Sequence, residues 1–270
     1  MPGMEVKVQI LRLIPRFIQV SFQEEAAYRS NFFIGIFTSI LNLATGILGI
    51  MVLFGQIKTL NGWNMASTMA LLGVYLIITA LRGLFIGPGL EALAGMEGDI
   101  WSGKFDFTLL RPLNTQVLVS LHKWRLYSLF DLVLGIGVLA TAVINMQVCL
   151  SVWQVVTFLI ALFSGVVILY AILLLFSALV FWSPGVLFTW IFDGLIQMAR
   201  YPIGMYPGWL QMVLTWVVPV GLITTVPAEA LTGSLNTGML IASFGFALVL
   251  LIIGSLLFRK GLRRYASASS

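Results

Sequence analysis

The chain has 270 residues, of which 60% are hydrophobic and only 9% charged, with a mean hydropathy of +1.03. A folded soluble domain must expose more polar surface than this composition can supply, so a water-soluble fold is excluded and an all-α integral membrane protein is expected. The formal net charge of +5 would suggest a nucleic-acid partner in a soluble protein. Here the basic residues gather at the edges of apolar runs, where they set orientation, and no nucleic-acid partner is expected.

The first 30 residues carry Lys7, Arg12, Arg16, Glu24, Glu25 and Arg29 without an uninterrupted apolar core, so they do not read as a secretory signal. Glu5, Gln9, Arg12, Arg16, Gln19 and Gln23 recur at steps of four and three. Val6, Ile10, Leu13, Ile14, Phe17 and Ile18 take the opposite face. That pattern predicts an amphipathic helix over residues 1–30 lying in the headgroup layer, and Pro15 should kink or divide it. Periodicity alone leaves open a coupling or dimer-contact role.

Seven apolar runs follow, at residues 32–54, 65–85, 128–144, 152–182, 186–200, 209–231 and 239–258. A span needs about 20 apolar residues. Lys and Arg fall in three blocks: the N-terminal segment, the stretch from Arg82 to Arg125, and the tail with Arg259, Lys260, Arg263 and Arg264. Elsewhere only Lys58 and Arg200 remain. The positive-inside rule then places both termini, the central loop and the 259–270 tail in the cytoplasm, which requires an even number of crossings. The run at 209–231 is the one expected not to cross. Pro207 precedes it, Pro219 splits it, and Pro227 with Glu229 closes it. Two short helices broken near Val218-Pro219-Val220-Gly221 are expected, forming a re-entrant hairpin over 207–233 entered from the outer face. A single kinked crossing is the alternative. The fold expected is one domain over 1–270 with six transmembrane helices.

The loop at 91–113 is the most polar stretch of the interior sequence. Gly98-x-x-x-x-Gly103-Lys104 matches most of a phosphate-binding loop. Phe105 stands where that motif needs a Ser or Thr hydroxyl, and no buried strand precedes it, so nucleotide binding is rejected. The segment reads instead as a short helix over 91–102, a turn at Gly103-Lys104, and a stretch ending at Pro112. Ile100, Trp101 and Phe105 beside Glu91, Glu97, Asp99 and Asp106 give apolar anchors with a charged rim, the make-up of an interface. An ordinary solvated loop is the plainer alternative.

Three charges lie in or at the ends of apolar runs: Arg82, Asp131 and Asp193. Each should face protein, water or an opposite charge. Arg82 and Asp131 read as structural clamps near the cytoplasmic ends, and Asp193 is open between a structural and a path-lining role. One cysteine, Cys149, excludes an internal disulfide, and one histidine, His122, leaves a histidine-built metal site without ligands. No Gly-x-Ser-x-Gly elbow is present, and Gly83 and Gly87 have helix-contact spacing. Tyr201, Tyr206, Trp209 and Trp216 suit an aromatic belt at the outer interface.

The block Ile100, Gly103, Leu109, Leu110, Arg111, Pro112 and Leu113 resembles the loop of type-2 ATP-binding-cassette (ABC) exporter permeases, in a bacterial branch. Tyr201-Pro202, Val218-Pro219, Pro227-Ala228 with Leu231 and Gly233, and Phe181-Trp182 extend the resemblance over the whole chain. It implies a permease subunit in the bacterial inner membrane that forms half of a translocation path, with no ATPase site of its own. ATP and magnesium would be bound by a separate ATPase subunit, and a second permease, identical or related, would complete the path. Under it Glu97, Asp99, Ile100, Trp101 and Lys104 contact the ATPase from a coupling helix. Pro219, Pro227 and Glu229 form the outer gate. A self-contained channel or secondary transporter, or a membrane assembly factor, is the alternative. Substrate is not legible.

Overall fold

A computed structural model describes residues 2–95, 98–147, 150–183 and 188–265, with side chains from Leu13 onward other than those at 188 and 189. Glu97 and Cys149, and the side chains of Glu5, Val6, Gln9, Ile10 and Arg12, lie outside the described set. Among the described residues the chain is helical throughout, with one isolated bridge between Leu60 and Trp63.

α1 (Pro2–Ala27) is one helix, and Pro15 does not divide it. The ring removes a single donor, and at this exposed position the orphaned carbonyl can face water. α1 also packs on the rest of the chain. Leu13 and Phe17 close a small apolar pocket with Leu113, Val117, Leu118 and Leu121. Farther along, the Trp124 amide donates to the Ser21 hydroxyl at 3.1 Å, and the Leu126 amide donates to the Glu25 carboxylate at 2.7 Å.

Among the described residues five helices are long and apolar enough to cross a membrane: α2 (Arg29–Phe54), α3 (Met65–Leu81) with its continuation to Glu91, α7 (Ser128–Asn145), α8 (Val152–Leu179) and α12 (Thr237–Arg264). α3 passes through a π-helical turn at Arg82–Ile86 into α4 (Gly87–Glu91). Two short helices, α5 (Phe105–Leu109) and α6 (Thr115–Leu121), sit between α4 and α7. α3, α8 and α12 all begin at the end of the bundle away from the basic clusters. Each is started there by a polar cap: Asn64 with Ser67, Ser151 with Gln154, and Asn236.

Glycine sets the closest packing. A Cβ at Gly73 would lie 2.7 Å from the Leu139 amide, and one at Gly135 would lie 2.9 Å from the Ile77 amide, so α3 and α7 touch backbone to backbone. Gly165 of α8 meets the Ile223 carbonyl at 2.6 Å in the same sense. Small residues at such contacts replace the hydrophobic drive that lipid does not supply. α3 is the central helix: 67% of its apolar window is buried, against 17% for α2, α7 and α12.

The fifth expected span differs from the sequence reading. α9 (Phe188–Gln197) has 10 residues, about 15 Å of helix, and cannot cross alone. It continues as 3₁₀ turns at Met198–Arg200 and Ile203–Met205, interrupted by Pro202. The broken path nonetheless traverses the bundle. Asp193 lies beside Arg82 toward the basic end, Arg200 beside Asn42 midway along α2, and the Asn61 side chain at the far end donates to the Gly204 carbonyl. Five long helices and this interrupted sixth crossing bring α1 and the end of α12 to the same, basic end.

α10 (Gly208–Met212) runs through a π turn at Val213–Val217, and after the break at Val218-Pro219 comes α11 (Val220–Thr232). The break falls where the prolines predicted it. The two arms differ by 96°, so the first lies across the second rather than beside it. Pro227 does not close the run, as expected from sequence; it is buried inside α11, which ends four residues past Ala228 at a left-handed Gly233.

Candidate functional site

The polar loop after α4 folds as a braced knob. Among the described residues the helix expected over 91–102 does not form. α4 stops at Glu91, Gly95 and Gly103 both take positive φ, and the helical turn forms later, as α5. The expected turn at Gly103-Lys104 is present. Within the loop the Asp99 amide donates to the Ala92 carbonyl at 2.8 Å, Ser102 to Gly98 at 2.9 Å and Phe105 to Asp99 at 2.9 Å. These amides serve the turns and do not converge on an external anion as a phosphate loop's would.

Two apolar side chains anchor the knob. Phe105 is fully buried, edge-on to Phe181 at 5.6 Å and to Tyr265 at 5.2 Å, and Ile100 is 6% exposed. Asp99 faces inward, toward the His122 ring at 3.9 Å and Lys123 at 4.0 Å. Ile100 and Asp99 therefore hold the loop's shape and do not present side chains outward. Trp101 and Lys104 do face outward. The exposed face also includes Phe107, 71% exposed, which the sequence reading did not single out, and Leu110, 79% exposed, with Arg111, which it named in the loop block but did not assign to the contact face. Their signal was an apolar pair flanking a short helical turn.

Titratable groups outside the spans are perturbed at this end. His122 Nδ1 donates to the Val119 carbonyl at 2.8 Å, and burial pushes the ring below its ordinary value. Burial, with the Asp106 carboxylate alongside, pushes the Tyr265 phenol up to about 12.

Above the knob an ion network joins four segments. Arg82 pairs with Glu91 at 2.8 Å and with Asp193 at 2.5 Å, Arg125 pairs with Glu91 at 3.0 Å, and the Arg82 guanidinium lies 5.6 Å from the Phe192 ring centre. The network ties the π turn of α3 to α4, α9 and the start of α7. Asp193 is thereby the partner of Arg82, while Asp131 stands apart, next to Ser39. Gly89 lets α4 approach α6 so closely that a Cβ would fall on the Val119 carbonyl oxygen, 2.0 Å away.

At the far end Glu229 lines a polar cavity of about 400 Å³ with Asn61, Asn64, Asn145 and Ser234. Pro219 sits at the break of the bent pair, and Pro227 is buried between that break and Glu229. A larger cavity, about 840 Å³, lies between α2 and the α3–α7 pair. Among the described residues no group of three or more His, Cys, Asp or Glu side chains gathers as a metal site would require.

A multi-pass helical bundle with a braced loop at its basic end and a bent helical pair before its last helix is the architecture of a polytopic membrane protein. The chain belongs to the ABC-2 family of transporter proteins, whose family model matches residues 40–269. It is thus a membrane (permease) component of an ABC system. No curated protein and no solved structure matches the chain.

Proposed function

We propose that the chain is an export permease driven by a separate ATPase, which docks on the outward face of the knob: Trp101, Lys104, Phe107, Leu110 and Arg111. The observation that carries this reading is an exposed apolar cluster with a basic rim, mounted on a loop whose base is locked by Ile100 and Phe105. Exposed apolar patches rimmed by charge mark protein contacts. A floppy loop would absorb a push. This one is braced from below by aromatic packing and from above by the Arg82–Glu91–Arg125 network, so motion of the knob is delivered to α3, the central helix.

The knob, both termini and the basic tail then face the cytoplasm of a bacterial cell, and the bent pair with Pro219, Pro227 and Glu229 closes the path on the outer side. ATP and magnesium bind to the partner. A second permease copy, identical or related, completes the path. Glu97, outside the described residues, adjoins the docking face in sequence.

The test is coupling. In the assembled complex, Phe107→Glu and Leu110→Glu should lower substrate-linked ATPase activity at least about tenfold, the effect of burying an unpaired charge in an interface, while leaving membrane insertion intact. Unchanged activity with both substitutions would rule out docking at this face.

A further inference from the structure

The 840 Å³ cavity between α2 and the α3–α7 pair contains two charges that the fold leaves without counter-ions. Most charged groups along its wall are satisfied within the protein. Glu91 is held by Arg82 and Arg125, Glu25 accepts the Leu126 amide, Lys123 faces Asp99, and Glu24 is at the open mouth. Deeper in, Asp131 has only the Ser39 hydroxyl beside it. Deeper still is Arg200, midway along α2. It donates to Asn42 at 2.9 Å and Thr45 at 3.4 Å and stacks over Tyr75 at 5.3 Å, but its buried Nε has no partner. Among the described residues no carboxylate lies within ion-pair distance of Arg200, and no cation within that distance of Asp131.

A lone charge at membrane depth costs several kcal/mol, and such residues otherwise pair or line a path. These two line the same cavity and do not reach each other. Asp131 is tethered at Ser39 and Arg200 at Asn42 and Thr45, so they are offset by one to two turns of α2, about 5 to 9 Å along its axis. The order is fixed: carboxylate toward the basic end, guanidinium toward the membrane centre.

We propose that this cavity binds a zwitterion carrying an ammonium group and a phosphate or carboxylate, with its anion on Arg200 and its cation on Asp131. The offset matches a short headgroup lying along α2, and the exposed apolar flank of that helix offers acyl chains a surface beside the opening. The chemistry is shared by a zwitterionic lipid and by its free, water-soluble headgroup. The assignment builds on the transport reading for where the ligand goes, but binding requires no ATPase, so the two fail separately.

The test is native mass spectrometry of the full chain in maltoside micelles, titrated with phosphatidylethanolamine, phosphatidylglycerol or a dialkylammonium lipid of equal chain length. The first phosphatidylethanolamine should bind about tenfold more tightly than either single-charge lipid, the size of one charge-assisted contact. Arg200→Gln should erase the preference over the ammonium lipid, and Asp131→Asn the preference over phosphatidylglycerol. Arg200→Lys, which keeps the charge, should retain it. Equal binding of the three lipids by the native chain, a preference unmoved by Arg200→Gln and Asp131→Asn, or its loss in Arg200→Lys would overturn the assignment. Displacement by excess glycerophosphoethanolamine identifies the free headgroup as sufficient; retention of the lipid against that excess identifies the whole lipid as the ligand.

Discussion

Arg82 is the residue on which two carboxylates, Glu91 and Asp193, and the Phe192 ring converge, and its loss should be felt more than the loss of any one partner. With its side chain 13% exposed, Arg82→Met leaves Glu91 with one cation and Asp193 with none, and should cost about 3 kcal/mol. Asp193→Asn, at a side chain 42% exposed, should cost under about 1 kcal/mol. Denaturant midpoints of the detergent-solubilised chain give both values. His122 supplies a pH dependence of definite sign. Its folded value lies below 6.5, so the stability it contributes is complete above that value and is lost as pH falls through the lowered one. Glu25, raised by burial, acts in the opposite sense, losing stability as pH rises above its ordinary 4.5. The difference between native chain and His122→Gln should therefore favour the native chain at pH 7.5 and shrink by pH 5.5. None of this pairing was legible in the sequence. The sequence marks Arg82 only by its position at the end of an apolar run, and its partner Asp193 comes from a helix packed beside it by tertiary structure.

Among the elements, the close approach of α4 to α6 offers a contrast within one substitution type. Gly89→Ala drives a Cβ into the Val119 carbonyl and should cost about 1–3 kcal/mol. Gly137→Ala in α7 meets nothing within 4 Å and should be neutral or stabilising by up to about 1 kcal/mol, as for any open helical glycine. Thermal unfolding of the two variants side by side decides it. The long helices were legible because each is a continuous apolar run. α9 was not, because hydropathy registers apolar content but not the short helix and 3₁₀ turns into which the segment before Pro202 folds. The knob's helix was misplaced for a related reason: Ile100 and Phe105 turn inward onto distant aromatic rings, which spacing within a loop cannot reveal, although Gly95 and Gly103 did mark the breaks.

For the whole molecule, charge parity asks for an even number of crossings, and the interrupted path through α9 is one way to supply a sixth beside the five long helices. Sidedness follows as a prediction. In a Cys149→Ser background, Lys104→Cys in intact cells should resist a membrane-impermeant maleimide while Ser234→Cys reacts, and opening the cells should expose the former; the reverse pattern would invert the topology. The glycine seams have a mechanical corollary. Where helices meet backbone to backbone, as α3 does with α7 and α8 with α11, there is no side-chain layer to shear, and such pairs move as rigid blocks. α2 has no comparable backbone seam along the cavity, so compliance is concentrated on one wall, and under the proposed coupling a stroke delivered to α3 would widen or narrow the gap beside α2 before deforming anything else.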